Sequence, residues 1–222
     1  MLRLPGVYRP QDDTDLLVRT VLGEDDPRGA RVLDICTGTG RVALAMAEAG
    51  AQEVHAVDVS RRAVATARLN SALRRRGVWV RRADLFPDRG DARGARRAGR
   101  YDLVVANPPY VPASDPALPT RGPERAWDAG HDGREVLDRI CDLVPHRLAP
   151  GGRLWLVQSE LANPHLTLDR LGARGLFAFI ADKVEIPFGP VLRARADWLA
   201  EQGLIEPGQE HETLVVIGAW AA

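Results

Sequence analysis

Lysine is almost missing from the chain: Lys183 is the only one, and arginine supplies nearly all the positive charge. In a sequence also rich in alanine, glycine and proline, this bias marks a GC-rich genome and says nothing about chemistry. Neither sign of charge is in excess. Thirty Lys plus Arg balance thirty Asp plus Glu, so no overall field draws the chain to nucleic acid or anionic lipid, and any such attraction has to be local. Cysteine is scarce: Cys36 and Cys141 lie far apart and outside any CxxC or CxxH pattern. That argues against a disulfide framework or a structural zinc and fits a reducing compartment, with the cytoplasm as the expected location. Long apolar runs are lacking too. The segment MLRLPGVYRP has no signal-peptide core, and no stretch approaches the roughly 18 apolar residues of a membrane span. The five histidines are scattered without ligand spacing, so no metal is expected. What remains, 222 residues with 45% apolar and 27% charged, describes one globular domain large enough to bury a core.

Short apolar runs alternate with helical segments, the pattern of a parallel sheet wound with helices. Strands are expected at 31–36, 53–58, 78–83, 101–106 and 153–158, with a weaker one near 176–184 and a last one at 213–218. Helices are expected at 13–22, 42–49, 61–75, 133–148, 164–172 and 191–202. Asp13-Thr14 reads as a helix cap with an early acid, and Ala149-Pro150-Gly151-Gly152 as a helix stop followed by a turn. Residues 87–99, glycine-rich and unpatterned, read as a mobile loop.

The first expected strand runs into Asp34-Ile35-Cys36-Thr37-Gly38-Thr39-Gly40 and then directly into a helix. Glycines at such a turn let the backbone approach a ligand and place amides at a helix N-terminus. GTGRVA also satisfies a GxGxxA dinucleotide fingerprint, with Asp58 one strand later for ribose hydroxyls. Two acids favour S-adenosyl-L-methionine instead. Asp34 suits a ligand ammonium and is awkward beside a pyrophosphate, and Asp84 in ADLF is placed to accept from an adenine amine. Three acids at successive strand ends would line one crevice.

The fourth expected strand ends in Asn107-Pro108-Pro109-Tyr110. Two prolines fix the backbone and remove donors, leaving carbonyls free to accept. The Asn107 side-chain oxygen and the Pro108 carbonyl can clamp both hydrogens of a planar NH2 group, with the Tyr110 ring against its flat face. Such a nitrogen is a poor nucleophile, so positioning it is the chemistry required.

The series VYRPQDDTDLL, DICTGTG, VHAVD, ADLF, NPPYV, AWDAGHDGREVLDRI and ETLVVIGAW resembles the HemK/PrmC family of protein-glutamine methyltransferases, most closely its compact eukaryotic and archaeal-type branch. The resemblance implies a class I methyltransferase fold: an α/β, seven-stranded, Rossmann-like, doubly wound sheet, mostly parallel with an antiparallel last strand. It implies a single domain over 1–222, with a helical lead-in over 1–30. It implies that Thr14, Asp34, Cys36, Gly38, Gly40, Asp58, Asp84, Leu85 and Asn107 form the S-adenosyl-L-methionine site. Asn107, Pro108, Pro109 and Tyr110, with Trp127 as lid or loop packing, would hold the glutamine amide of a GGQ motif in a peptide-release factor. A small zinc-binding activator subunit is a partner the branch implies. Two departures stand out: Cys36 where many members have glycine, and an insertion near 182–203.

Rival readings share these residues. An adenine-amine methyltransferase would use the same clamp but needs base flipping and a recognition surface; with all seven strands in the core and no net charge, nucleic acid is not expected as the direct substrate. A small-molecule or peptide amine is the other alternative, with the 182–203 segment as its support. A donor-binding scaffold without activity is disfavoured by the intact clamp. The arginines at 74–76, 81, 82, 89, 93, 96, 97 and 100 read as a solvated face.

Overall fold

The computed structural model describes residues 1–85 and 100–221; the loop expected over 87–99, with its arginines, lies outside the described residues. Among the described residues, one sheet of seven strands holds the molecule together: β1 (Arg31–Ile35), β2 (Glu53–Asp58), β3 (Val78–Arg82), β4 (Tyr101–Ala106), β5 (Leu148–Ser159), β6 (Leu176–Pro187) and β7 (His211–Ala221). Their order is β3-β2-β1-β4-β5-β7-β6. The pairings from β3 through β5 are parallel, and β7 runs antiparallel to both β5 and β6.

Side-chain burial explains the central position of β1 and β4. Val32, Leu33, Asp34 and Ile35 are buried in succession, as are residues 103–106, so both sheet faces are covered there. Full burial of a side chain such as Leu33 or Ile35 contributes about 1.5–3 kcal/mol. The edge strand β3 buries only Val80 and leaves Trp79 62% exposed. Because β1 lies between β2 and β4, the winding reverses there, and the crevice beyond the strand C-termini is where such sheets take ligands.

The helices are α1 (Asp12–Glu24), α2 (Arg41–Glu48), α3 (Arg61–Leu73), α4 (Glu135–Leu143), α5 (Pro164–Ala173) and α6 (Pro190–Glu201). Ser60 caps α3 by accepting from the Ala63 amide, and Asn163 caps α5 ahead of Pro164. At α1 the expected cap gives way to Gln11, which makes no side-chain cap bond; Asp12, Asp13 and Asp15 lie in the first turn, where the helix dipole favours them. Helix α4 is shorter than expected, passing into a 3-10 turn at Val144–His146 around Pro145.

Two further differences concern strands. The expected turn at Ala149-Pro150-Gly151-Gly152 lies inside β5 as an irregularity: Tyr101 opposes Leu148, whereas Leu103 opposes Arg153. The expected weak strand 176–184 continues to Pro187, and its pairing with β7 extends to Pro187 opposite His211. Residues 182–187 of the expected insertion therefore belong to β6, and α6 follows them. The polar alternation of an edge strand hides its length in the sequence.

Candidate active site

Each parallel strand near the centre delivers its last residues to the same end of the sheet. After β1 the chain turns through Cys36 (φ 61°), Gly38 (φ 54°) and Gly40 (φ 84°) before entering α2. Gly40 has to lack a side chain, because a Cβ there would stand 3.1 Å from that of Ala67. The turn is tied down by carboxylates. Asp34 Oδ2 accepts from Thr37 Oγ1 at 2.6 Å and from the Ala43 amide at 3.0 Å. Asp58 accepts from the Gly38 amide at 3.0 Å and the Ser60 amide at 2.8 Å, one on each carboxylate oxygen.

The crevice is acidic. Burial, followed by the carboxylates of Asp58, Asp34 and Asp84, pushes the Cys36 thiol far up, so all three acids act on one point. Burial also raises Asp58 against the pull of its two amide donors, and pushes Asp34 up to about 7. Beside Gly38 there is room: a Cβ there would meet only the Cys36 carbonyl, at 4.0 Å.

At the end of β4, Asn107 faces α1. Its Nδ2 donates to Asp13 Oδ2 at 3.0 Å and to Thr14 Oγ1 at 3.1 Å. A carboxylate only accepts, so the amide nitrogen must face Asp13, which turns Oδ1 to the opposite side of the amide. Asp13 also accepts from the hydroxyls of Tyr8 (2.9 Å) and Tyr110 (3.2 Å) through Oδ2, and from the amide (2.6 Å) and hydroxyl (3.1 Å) of Thr14 through Oδ1. One buried carboxylate thus fixes both Asn107 and Tyr110, the residues expected to form the clamp. Burial and the neighbouring Asp13 raise the Tyr8 and Tyr110 phenols, which stay protonated as donors.

Beyond Tyr110 the backbone pairs with the segment around Trp127. The Val111 amide donates to the Trp127 carbonyl at 2.8 Å, the Ala129 amide to Val111 at 3.1 Å and the Ala113 amide to Gly130 at 2.9 Å. Gly133 (φ 73°) lies against the clamp: a Cβ there would stand 2.4 Å from the Tyr110 carbonyl oxygen.

The profile of the methyltransferase small domain matches residues 1–118. A Methanocaldococcus jannaschii chain named as a candidate protein N5-glutamine methyltransferase is 32% identical over 83% of this chain and 88% of its own length. The release factor glutamine methyltransferase of Bordetella pertussis is 40% identical over 68% of this chain, which spans 56% of that relative's length. The chain belongs to the HemK/PrmC methyltransferase family. Among solved structures, E. cuniculi Mtq2 in its Trm112 complex, described as responsible for methylating the eRF1 translation termination factor, superposes with a TM-score of 0.64 at 26% identity, covering 98% of this chain and 99% of that one. A T. thermophilus 16S rRNA methyltransferase superposes with a TM-score of 0.65 at 18% identity, covering 99% of this chain and 46% of that one; it shows the fold alone.

Within this HemK/PrmC chain, several residues differ in setting from what their sequence positions suggest. The Asp34 carboxylate, expected to meet a ligand ammonium, sits on a residue that is 1% exposed, and its Oδ2 anchors the turn and the start of α2. Asp84, expected to face an adenine amine, has a side chain 61% exposed and an ion pair with Arg139 of α4 at 2.9 Å. Leu85 is buried with φ 65°, so both it and Cys36 hold left-handed backbone beside the crevice. The Tyr110 ring, expected as a flat platform, is 9% exposed with its hydroxyl tied to Asp13. Pro108 is buried and Pro109 half-buried. Trp127 is half-buried, and its indole N–H is buried without a protein partner.

Three site residues were not singled out for the site by sequence. Asp13 reads as a cap, and nothing marks Tyr8 or Glu212. Glu212, at the start of β7, is 6% exposed and has a buried Oε2 without a hydrogen-bond partner. Burial and the neighbouring Asp13 and Glu160 push it up to about 7, against a hydrogen bond with Ser159. The VYRPQDD segment holds the only early signal, since it keeps a tyrosine and an acid within one turn's reach of each other.

Proposed function

We propose that the chain transfers a methyl group from S-adenosyl-L-methionine to the side-chain amide nitrogen of a protein glutamine, in the GGQ motif of a peptide-release factor. The observation that carries this reading is the Asp13–Thr14–Asn107 network, which holds Asn107 Nδ2 and so turns Oδ1 away as an acceptor, with the neighbouring Pro108 carbonyl as its proposed pair. An amide NH2 offers two donors in one plane, the complement of that pair. When bound, the donor supplies an electrophilic methyl on a sulfonium. Asp58, on backbone anchors, would accept from its ribose; the open side of Gly38 would leave space for it; and the acidic crevice suits its positive charge. The chain's own work is orientation: Asn107 and Pro108 hold the amide hydrogens, and Asp13 keeps Asn107 from rotating. Fixing a weak nucleophile in this way replaces the need for a strong base before attack.

The glutamine-methylating relatives and the Asn107 geometry support this substrate, and a release-factor substrate supports a cytoplasmic enzyme. A small partner subunit fits the same picture, with zinc binding as the expected property of that partner. Among the described residues β3 is an edge strand; it carries Trp79, 62% exposed, and α3 beside it carries Leu73 at 62% and Leu69 at 43%, apolar surface that a partner would cover. Coexpression with such a subunit is expected to raise the soluble yield.

The deciding experiment is the intact mass of a GGQ-containing release-factor domain after incubation with the enzyme, its partner and S-adenosyl-L-methionine. Gain of one methyl group, absent when the glutamine is replaced by alanine, is the expected result. With Asn107→Ala, turnover should fall by about 10²–10³ while calorimetry still detects donor binding. Turnover unchanged in that variant would refute the clamp.

A further inference from the structure

Strands β6 and β7 are neighbours, antiparallel and paired from Leu176–Ala221 to Pro187–His211. A pair closed that fully can be joined by a two-residue turn. Instead the chain leaves the sheet at Pro187 and returns at His211, and α6 occupies the excursion. Since β7 is antiparallel to β5 and β6 to β7, β6 runs parallel to β5. The excursion therefore emerges at the end of the sheet that carries Asn107.

Helix α6 has its own small core, Phe188, Leu192, Leu199 and Ile205, which also packs on Val111 just past the clamp. From the same face, between Leu192 and Leu199, Arg195 reaches the same segment. Its Nη1 donates to the Pro112 carbonyl at 2.8 Å and lies 2.7 Å from Asp128 Oδ1. The two side chains are only 25% and 11% exposed, so this pair is far better shielded than an ordinary surface ion pair. Trp198 adds an edge contact with His131, ring centres 5.5 Å apart. One helix thus grips both strands of the paired segment, Val111–Pro112 on one side and Asp128–His131 on the other.

We propose that α6 is the protein-substrate wall of the active site and that Arg195 is a positioning residue, which latches the 111–131 segment so that a peptide loop bearing the glutamine can dock. The proposal rests on the glutamine reading above. Because Arg195 holds the segment and Asp13 holds Asn107, loss of the latch loosens docking and leaves the clamp's own geometry in place. The planar guanidinium holds its Nη1 between the Asp128 carboxylate and the Pro112 carbonyl, a placement that a lysine ammonium on a flexible stem keeps less firmly.

The test uses Arg195→Ala, Arg195→Lys, Asp128→Asn and the double variant Arg195→Ala/Asp128→Asn in the full chain with its partner. Three quantities are measured: KM and kcat for the GGQ domain, donor affinity by calorimetry, and the rate of tryptic cleavage after Arg121 and Arg125. For Arg195→Ala we expect KM for the protein to rise about tenfold, with kcat within about threefold and donor affinity within about twofold, and cleavage to quicken about fivefold or more. Arg195→Lys should fall between it and the wild type, and the double variant should be no worse than the single. Unchanged KM with unchanged cleavage would overturn the latch, as would equal losses in donor affinity and protein KM. If the wild-type enzyme leaves the GGQ domain unmodified, the glutamine reading fails by itself; cleavage and donor affinity then still decide whether Arg195 pins the segment.

Discussion

At the scale of single residues, the proposed clamp rests on one buried carboxylate behind it. Asp13 accepts five hydrogen bonds, three of them from Tyr8, Asn107 and Tyr110. Asp13→Asn removes the charge and one of its two acceptor oxygens, so these donors can no longer all be satisfied. We expect kcat to fall by about tenfold or more, less than the roughly 10²–10³ of losing a polar group that itself meets the reacting atoms, with donor affinity little changed. Stability should drop by about 1–3 kcal/mol, the cost of leaving a buried donor unpaired. Steady-state kinetics beside a urea titration separate the two, and a variant with normal kcat would show that Asn107 needs no such anchor.

Among the structural elements, the paired segment after the clamp matters most. Gly133 precedes α4 with φ 73°, and any side chain there would drive into the Tyr110 carbonyl. Gly133→Ala therefore combines left-handed strain, about 1–2 kcal/mol, with displacement of the clamp backbone. The expected result is a lowered melting temperature and a kcat reduced by at least about tenfold, since misplacing a reacting group by about 1 Å costs up to about 10². Wild-type kcat in that variant would mean the clamp tolerates the shift. The glycine is legible in the sequence as part of WDAGHDG, but its neighbour is not, because Tyr110 and Gly133 meet only through the pairing of Val111 with the Trp127 segment.

At the scale of the whole molecule, buried carboxyls bear on the response to pH, and among the described residues Asp34 and Glu212 are pushed up the furthest. Asp34 and Glu212 each titrate near 7 in the folded chain, against about 4 in an unfolded one. The folded state therefore holds more protons between about pH 4 and 7, and this contribution to stability is present at the acid side and lost as pH rises through the folded values. Melting temperatures taken between about pH 5 and 8 should show this fall in the wild type, and a shallower one in Glu212→Gln. Equal slopes would show that Glu212 is ionised throughout. The opposite trend, loss of stability on acidification, comes from paired carboxylates such as Asp142, which the guanidinium groups of Arg170 and Arg174 hold down to about 2. Its window lies lower, between about pH 4 and 2, so the two effects separate.

Much of this was written locally. The sheet and its helices follow from apolar runs of the right length, and the turn at Gly38–Gly40, Asp58 and Asn107-Pro108-Pro109-Tyr110 stand out because each needs a residue type with few substitutes at a strand end. The features that escaped are those that depend on distance. Asp34 is buried as an anchor of the turn and Asp84 is exposed and paired with Arg139, a difference that their shared place at strand ends does not show in the sequence. Edge position concealed the length of β6, whose half-exposed alternation resembles a loop. Local sequence determined the strand-end residues from which an amide clamp and a donor crevice are proposed; only tertiary packing decided that Asp13 holds Asn107 and that α6 borders the segment after it, because those contacts join residues 94 and 83 positions apart, beyond the reach of any local pattern.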